Sequence, residues 1–323
     1  MKTISKVLVT GGAGFIGSHI VDELVRRGVE TYVIDNLSTG RLENLQHHRE
    51  NDLLHVIIGD MRNVGDLLQD VSDIDVVFHE AAIASVFRSV KEPGVVHDVN
   101  VNATLDLMNY CVKKGIGRFV FASTGAVYGT LKDKPASEDL ACRPISPYGA
   151  SKLSIENYLG AYQSSYGLET VALRYLNVYG PRQTMNDYSG VITIFTNALL
   201  RREQPTVHGD GQQTRDFVHV KDIVQANMLA MESENAPGEV FNVATGHSIT
   251  ILAMLEQLKS LTGAVEIGHK FGPRREGDIR SGLASVEKIM NRLGFAPKVS
   301  TKEGLADVVE FFRTRNELLQ GIA

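Results

Sequence analysis

VLVTGGAGFIG (residues 7–17) decides the architecture. Val7, Leu8 and Val9 are apolar on consecutive positions, as a strand covered on both faces of a parallel sheet must be. The run breaks at Thr10-Gly11-Gly12, and Gly11, Gly14 and Gly17 stand three apart. Behind them Ile16, Ile20 and Leu24, with Val21 and Val25, recur at three and four, an amphipathic helix ending at Gly28. Glycine gives the tight turn, and its missing Cβ lets backbone N–H groups approach a pyrophosphate at the positive helix end. Gly17 would let the helix lie close on the strand. A bare strand-helix turn can also use glycine, so the next apolar run, TYVID (31–35), matters. Its Asp35 comes eighteen residues past Gly17. An acid there accepts both ribose hydroxyls and repels a 2′-phosphate, so NAD is expected rather than NADP. Asp60, ending IIGDM, is a candidate adenine contact; on its own it reads equally well as a turn residue.

Outward from this unit, LLHVII (53–58), DVVFHEA (75–81), RFVFAST (118–124) and TVALRYLNVYG (170–180) read as further strands alternating with helical patterns. That alternation predicts an α/β fold with a doubly wound parallel sheet, Rossmann-like. After residue 180 loop-like stretches separate helical pieces at 191–202, 219–232, 250–262 and 304–318. The expected division is therefore 1–180, an NAD-binding domain, and 181–323, a smaller C-terminal α/β lobe with no separate linker.

The chain has 323 residues, 43% hydrophobic and 22% charged, which is ordinary globular composition. With a net charge of −5 and no basic stripe, nucleic acid is not an expected partner. No apolar stretch reaches the length of a membrane span, and the apolar run after the N-terminal lysines is too short for a leader. Cys111 and Cys142 are too few for a disulfide framework, which suits a reducing compartment and makes the cytoplasm the default address. No metal is expected.

The chemistry concentrates in SPYGASK (146–152). Ser146 and Pro147 read as N-cap and first helical residue, so Tyr148 and Lys152, four apart, share a helix face. A phenol near pKa 10 is a poor base at pH 7, but an adjacent ammonium and an oxidised nicotinamide favour the phenolate. Thr124 ends the fifth strand, at the carboxyl edge where open α/β sheets place their ligands, and its hydroxyl can hold a sugar hydroxyl. A Tyr and a Lys four apart are common on solvated helix faces; behind this glycine loop the catalytic reading prevails.

TGGAGFIGSH, DNLSTG, GDMRN, HEAA, VNVNATL, FASTGAVYG, SPYGASK, LRYLNVYGPRQ, GDGQQTRDFVHVKD and RREGD run in order through nearly the whole chain. Together they resemble the extended short-chain dehydrogenase/reductase superfamily, specifically the UDP-galactose (UDP-glucose) 4-epimerases. The resemblance implies Thr124, Tyr148 and Lys152 as the catalytic triad, with Thr124 where the family usually has Ser. It implies NAD contacts from Gly11, Gly14, Phe15, Ile16, Asp35, Asn36, Ser38, Gly40, Asp60, Met61, Ala81, Ala82, Asn100, Tyr148, Lys152 and Tyr175. The family's Lys in the HEAA stretch is replaced by Ala84. The UDP-sugar would meet Thr124, Asn177, the Val191 segment, Val207 at the uracil, Arg215 and Arg275 on the diphosphate, and Asp278 on the ribose. A position four residues past that Asp, Gly282 here, lines the family's sugar pocket near C2. A homodimer through helices near 95–113 and 148–166 is also implied.

Sister enzymes share the cofactor and triad. The 4,6-dehydratases carry Asp-Glu after the catalytic Thr and the UDP-glucuronate decarboxylases a Glu; here Gly125-Ala126 follow, so C4 inversion is the expected reaction. Glucose, N-acetylglucosamine and glucuronate remain open as the sugar, and a silent NAD-binding scaffold would require a broken triad.

Overall fold

The computed structural model describes residues 4–130, 135–184, 190–274 and 280–321. Six strands come first: β1 (Lys6–Thr10), β2 (Glu30–Asp35), β3 (Leu54–Ile58), β4 (Val76–His79), β5 (Arg118–Thr124) and β6 (Glu169–Tyr175). They alternate with α1 (Phe15–Arg26), α2 (Val64–Leu67), α3 (Val86–Lys91), α4 (Pro93–His97), α5 (Ala103–Lys114) and α6 (Pro147–Tyr166). Beyond them lie β7 (Asn177–Tyr179), α7 (Val191–Leu200), β8 (Thr206–His208), β9 (Thr214–Arg215), β10 (Phe217–His219), α8 (Val220–Glu232) and β11 (Glu239–Val243). Last come β12 (Ile249–Thr250), α9 (Ile251–Thr262), β13 (Lys270–Gly272), β14 (Ser281–Gly282), α10 (Glu287–Leu293) and α11 (Thr301–Gly321).

One seven-stranded sheet, ordered β11-β6-β5-β4-β1-β2-β3 with every pair parallel, forms the centre. Alternation along β1 explains the two layers: Val7 and Val9 pack with Ile20 and Leu24 of α1 and Ile223 of α8. Leu8 points the other way, into a layer with Leu107 of α5 and Ile155 of α6. A third cluster, built from Phe195 of α7, Leu255 of α9 and Leu305 of α11, is the core of the C-terminal part. Among the described residues no helix is long and apolar enough to cross a membrane.

Two features differ from the sequence expectation. TVALRYLNVYG is not one strand: it breaks at Leu176, whose N–H bonds Val243 O at 3.2 Å, and β7 leaves to pair with β10. Asn177 Nδ2, bonded to Asp216 O at 2.9 Å, draws the chain out of the sheet there. The sheet also takes its seventh strand, β11, from beyond residue 180, and α8 covers it, so the chain returns to the first layer system after entering the second. EVFNV reads as a strand locally, but only the long-range pairing with β6 places it.

A buried ion pair ties this edge together. Arg174 Nη2 of β6 meets Glu156 Oε2 of α6 at 2.6 Å, with side chains only 6% and 4% exposed. Arg174 Nη1 also donates to Tyr128 Oη at 2.9 Å, and that hydroxyl donates to Asn242 Oδ1 of β11 at 2.6 Å. Removing one partner of such a pair leaves a buried charge unpaired. Arg174→Leu is therefore expected to cost about 3–5 kcal/mol of stability in urea unfolding. A loss under about 1 kcal/mol would show that Glu156 takes up a proton or another donor at little cost.

Candidate active site

The strand order reverses beside β1, between β2 and β4, and the crevice outside the carboxyl ends of such strands is where open α/β sheets bind ligands. The glycine loop sits there. Gly11 has φ +68°, and a Cβ on it would lie 2.8 Å from Ala81 N, so both conformation and space demand glycine. A Cβ on Gly17 would overlap the Gly11 carbonyl oxygen, which is why α1 can start so close to the loop. Gly14 is the N-cap of α1 and offers no side-chain cap, leaving the first-turn N–H groups, with Phe15 and Ile16 at their head, to an anion. This cradle fits the pyrophosphate of NAD.

Asp35 ends β2 with its carboxylate accepting Ala13 N at 3.0 Å and Leu37 N at 2.8 Å. Gly40 packs against it, a Cβ there coming 2.7 Å from both carboxylate oxygens. Asp35 thus locks the glycine loop to the following turn, and burial pushes its carboxyl above the ordinary carboxylate range. Asn36 and Ser38 are exposed on that turn, with Asn36 Oδ1 accepting Ser38 N at 3.0 Å. Asp60 caps the short helix Met61–Asn63 and is engaged by Arg62 Nη2 at 2.9 Å, which holds its carboxyl down at about 2. Its turn role is therefore present whatever else it contacts. Met61 is buried.

The three catalytic candidates converge. Ser146 Oγ accepts Gly149 N at 3.1 Å and Pro147 opens α6, as the spacing predicts. Gly149 is required here because a Cβ would stand 2.7 Å from Ala126 O, so α6 begins in contact with the turn after β5. That approach brings the Tyr148 phenol close enough to Thr124 for that hydroxyl to favour its ionised form, and the Thr124 hydroxyl accepts Ala126 N at 3.2 Å. One turn on, Lys152 Nζ donates to Ala122 O at 2.8 Å and lies 4.6 Å from the Phe121 ring centre.

Burial lowers the Lys152 ammonium to about 8, and burial pushes the Tyr148 phenol up to about 12 against the opposing influence of Thr124. The amine faces the β5 carbonyl.

Glu80, within the HEAA stretch but not singled out as a site residue, belongs to the same edge. Tyr175 Oη donates to its Oε1 at 2.9 Å, and burial raises its carboxyl to about 7. The Tyr175 hydroxyl is thereby committed within the protein. So is the Asn100 side chain, which accepts Ile83 N at 2.8 Å and donates to Ser151 Oγ at 3.2 Å from within the π-helical segment Asp98–Asn102. Ala81 and Ala82 are half-buried beside Gly11, Ala81 N bonding Thr10 Oγ1 at 3.3 Å.

A cavity of about 470 Å³ opens on the C-terminal side, lined by Asn177, Gly190, Val191, Thr206, His208 and Arg215 among others. Val207 is fully buried between two lining residues, Thr206 and His208, and does not itself line the cavity. Gly282 is buried and pairs in register with Arg215 through the β9–β14 ladder. Arg275 and Asp278 lie outside the described residues. A larger groove of about 770 Å³ between α1 and α8 contains none of the expected site residues. Asp22, His47 and His48 form the one cluster of metal-ligating side chains among the described residues. Both rings lie on Asp22 Oδ1, at 2.8 and 3.0 Å, and Arg182 on its other oxygen at 2.8 Å, so hydrogen bonding and charge already satisfy it.

The chain is similar to known proteins over nearly its whole length. The profile of the NAD dependent epimerase/dehydratase family matches residues 7–244. A UDP-glucose 4-epimerase of Mycolicibacterium smegmatis is 38% identical over 315 residues, 97% of this chain and 100% of that one. The structure of a Thermotoga maritima UDP-glucose 4-epimerase with UDP-glucose is 42% identical at TM-score 0.90, covering 96% of this chain and 99% of that one. A Methanobrevibacter ruminantium UDP-N-acetylglucosamine 4-epimerase, in complex with UDP-N-acetylmuramic acid, is 41% identical at TM-score 0.92, covering 98% and 100%.

Asp35→Ala is expected to lower the NAD retained on purification and to admit NADP, since ribose acceptors and repulsion are both lost. Wild-type NAD content with NADP still excluded would leave Asp35 a loop lock only.

Proposed function

The chain belongs to the NAD dependent epimerase/dehydratase family, and from that premise we propose that it inverts C4 of a UDP-hexose through a transient 4-keto sugar. It is an NAD-dependent isomerase by its relatives, 38% and 42% identical over nearly the whole chain. Bound in the glycine-loop cradle of Gly11, Gly14 and Asp35, NAD would supply the hydride acceptor and donor that the inversion at C4 needs. The Tyr148 phenolate removes the C4 hydroxyl proton as the carbonyl forms, and gives it back as the carbonyl is reduced. Thr124 holds the same sugar oxygen. Lys152 contributes the fixed positive charge beneath, and its remaining N–H groups are placed to hold ribose hydroxyls. The observation that carries this reading is the start of α6 against the turn that follows Thr124, with Tyr148 and Lys152 one helical turn apart and Lys152 Nζ on the β5 carbonyl of Ala122.

Inversion requires the sugar to turn while its diphosphate stays held. Asn177, Val191 and Arg215 would supply that anchor, with Val207, Arg275 and Asp278 expected beside them, and a guanidinium fork suits a diphosphate. The turn after Thr124 begins Gly125-Ala126, which offers no acid or base for elimination at C5 and C6. That favours epimerisation over dehydration.

Gly282 pairs in register with Arg215 of the cavity wall, and a glycine at the position that the family resemblance sets near C2 supports including the acetylated pair, UDP-N-acetylglucosamine and UDP-N-acetylgalactosamine, with UDP-glucose and UDP-galactose. A homodimer is supported by exposed apolar side chains on α3, α4 and α6, namely Val86, Phe87, Val90, Val95 and Tyr158. The two unpaired cysteines suit the cytoplasm.

Tyr148→Phe is expected to keep fold and NAD while losing about 10²–10⁴-fold in turnover. Near-normal turnover would overturn the mechanism. The wild type is expected to interconvert both pairs of sugars, and Gly282→Tyr to lose the acetylated pair alone. No wild-type turnover of either acetylated sugar overturns the substrate assignment.

A further inference from the structure

Pro181, Arg182, Gln183 and Thr184 follow β7 closely and lean on α1, the helix that opens from the glycine loop. His19 Nε2 donates to Pro181 O at 3.1 Å. Arg182 Nη1 donates to Ser18 Oγ at 3.2 Å, and Arg182 Nη2 meets Asp22 Oδ2 at 2.8 Å. Ser18 and Asp22 stand one turn apart, so the guanidinium grips one face of α1. Thr184 Oγ1 lies 3.5 Å from the carbonyl of Thr39, in the turn that carries Ser38 and Gly40. Asp22 is braced from its other side: His47 Nε2 and His48 Nε2, at the end of the short helix Leu42–His48, lie on Oδ1 at 2.8 and 3.0 Å. The start of that helix is tied to the glycine loop, since Arg41 N and Asn44 Nδ2 both donate to Ala13 O at 2.9 Å. Arg182 is therefore docked on a carboxylate that the glycine-loop half fixes independently.

The next residue faces the other way. Gln183 Oε1 accepts from Thr193 Oγ1 of α7 at 2.7 Å, and Gln183 Nε2 donates to Val178 O of β7 at 3.3 Å. It lines the cavity of about 470 Å³ and joins two segments of its wall, one bearing Asn177 and the other opening at Val191. Gly190, the N-cap of α7, admits it: a Cβ there would stand 3.1 Å from Gln183 Oε1. Sending adjacent side chains to α1 and to the cavity comes with an uncommon backbone, for Arg182 has φ +68°. A residue with a Cβ is strained in that left-handed region, where glycine is at ease. A partly exposed ion pair adds little to stability, so folding alone accounts for neither the strain nor the Arg182–Asp22 pair.

We infer that Arg182, anchored on Asp22, is a positioning residue for the UDP-sugar: it fixes Gln183, and through it β7 and the start of α7, from across the boundary between the two halves of the chain. The nucleotide anchor is thereby referred to α1, whose first turn forms the candidate pyrophosphate cradle, and the two sites keep one geometry relative to each other. Inversion at C4 needs that constancy, because the sugar turns while its nucleotide must not. The inference rests on the reading of the cavity as the UDP-sugar site.

The test compares the NAD-loaded wild type with Arg182→Gly and Asp22→Asn. Glycine adopts the positive φ freely, so Arg182→Gly relieves the strain and removes the anchor. KM for the UDP-hexose should rise roughly tenfold while kcat and retained NAD stay near their wild-type values. Calorimetry with UDP alone should show the same loss of affinity without turnover. A crossing that needs only its backbone shape would keep wild-type KM and UDP affinity in Arg182→Gly, and that result overturns the inference. Arg182→Lys, which keeps a donor for Asp22, should recover part of the loss. Asp22→Asn should weaken UDP binding as well, and it carries the test if Arg182→Gly does not fold. The double variant should bind UDP no more weakly than Arg182→Gly, because both changes remove one contact. Additive losses would separate the two residues and overturn the anchoring. NAD lost in step with turnover would place Arg182 in the folding of α1 and overturn it equally. A wild type that binds UDP, with variants that bind it as well, overturns this inference and keeps the proposed function. A wild type that binds no UDP overturns the proposed function, and this inference with it.

Discussion

Much of this molecule is arranged around one sunken amine. Lys152 is 3% exposed, its Nζ bonded to the carbonyl of Ala122 and lying against the Phe121 ring. A charge in that position is costly unless anions and dipoles answer it. The β5 carbonyl, Glu80 and Glu156 do so, and each demands further support: Glu80 needs Tyr175 and Asn227, and Glu156 needs Arg174. Arg174 in turn engages Tyr128 and, through it, Asn242 of β11. The ends of β4, β5, β6 and β11 are therefore bound to one another by the consequences of a single lysine.

The parallel register makes this possible. Because β4, β5 and β6 run side by side in one direction, His79, Phe121 and Ala172 lie level, and Thr124 pairs with Tyr175. Their carboxyl ends present Glu80, Thr124 and Tyr175 to the same crevice that receives the glycine loop from β1. α6 then needs only a correct starting point, which Gly149 supplies by tolerating the Ala126 carbonyl. A residue with a Cβ at 149 would lift the start of the helix and separate Tyr148 from Thr124.

What could be read in the sequence follows the same physics. The strand-glycine-helix unit and the SPYGASK start are local patterns, where spacing fixes direction, and each forms as its residues predict. The break at Leu176 and the return of β11 depend on partners 67 and 39 residues away, as the Leu176–Val243 and Asn177–Asp216 bonds show, and no local periodicity encodes them. Glu80 escaped notice for a related reason: an acid after a strand is unremarkable until Tyr175 and Asn227 are seen to hold it. The burial that pushes the Tyr148 phenol up is set by the surrounding fold, and the Tyr-Lys spacing alone does not encode it.

The proposed inversion requires that a hydride leave C4 and come back to C4 within one closed site. Incubating the purified protein, with the NAD it retains, with a UDP-hexose carrying deuterium at C4 tests this directly. Mass and NMR analysis of the product should find the deuterium still on C4 of the inverted sugar, with no hydrogen gained from solvent. Deuterium lost to water, with C4 of the product carrying solvent hydrogen, would contradict hydride return and with it the proposed reaction.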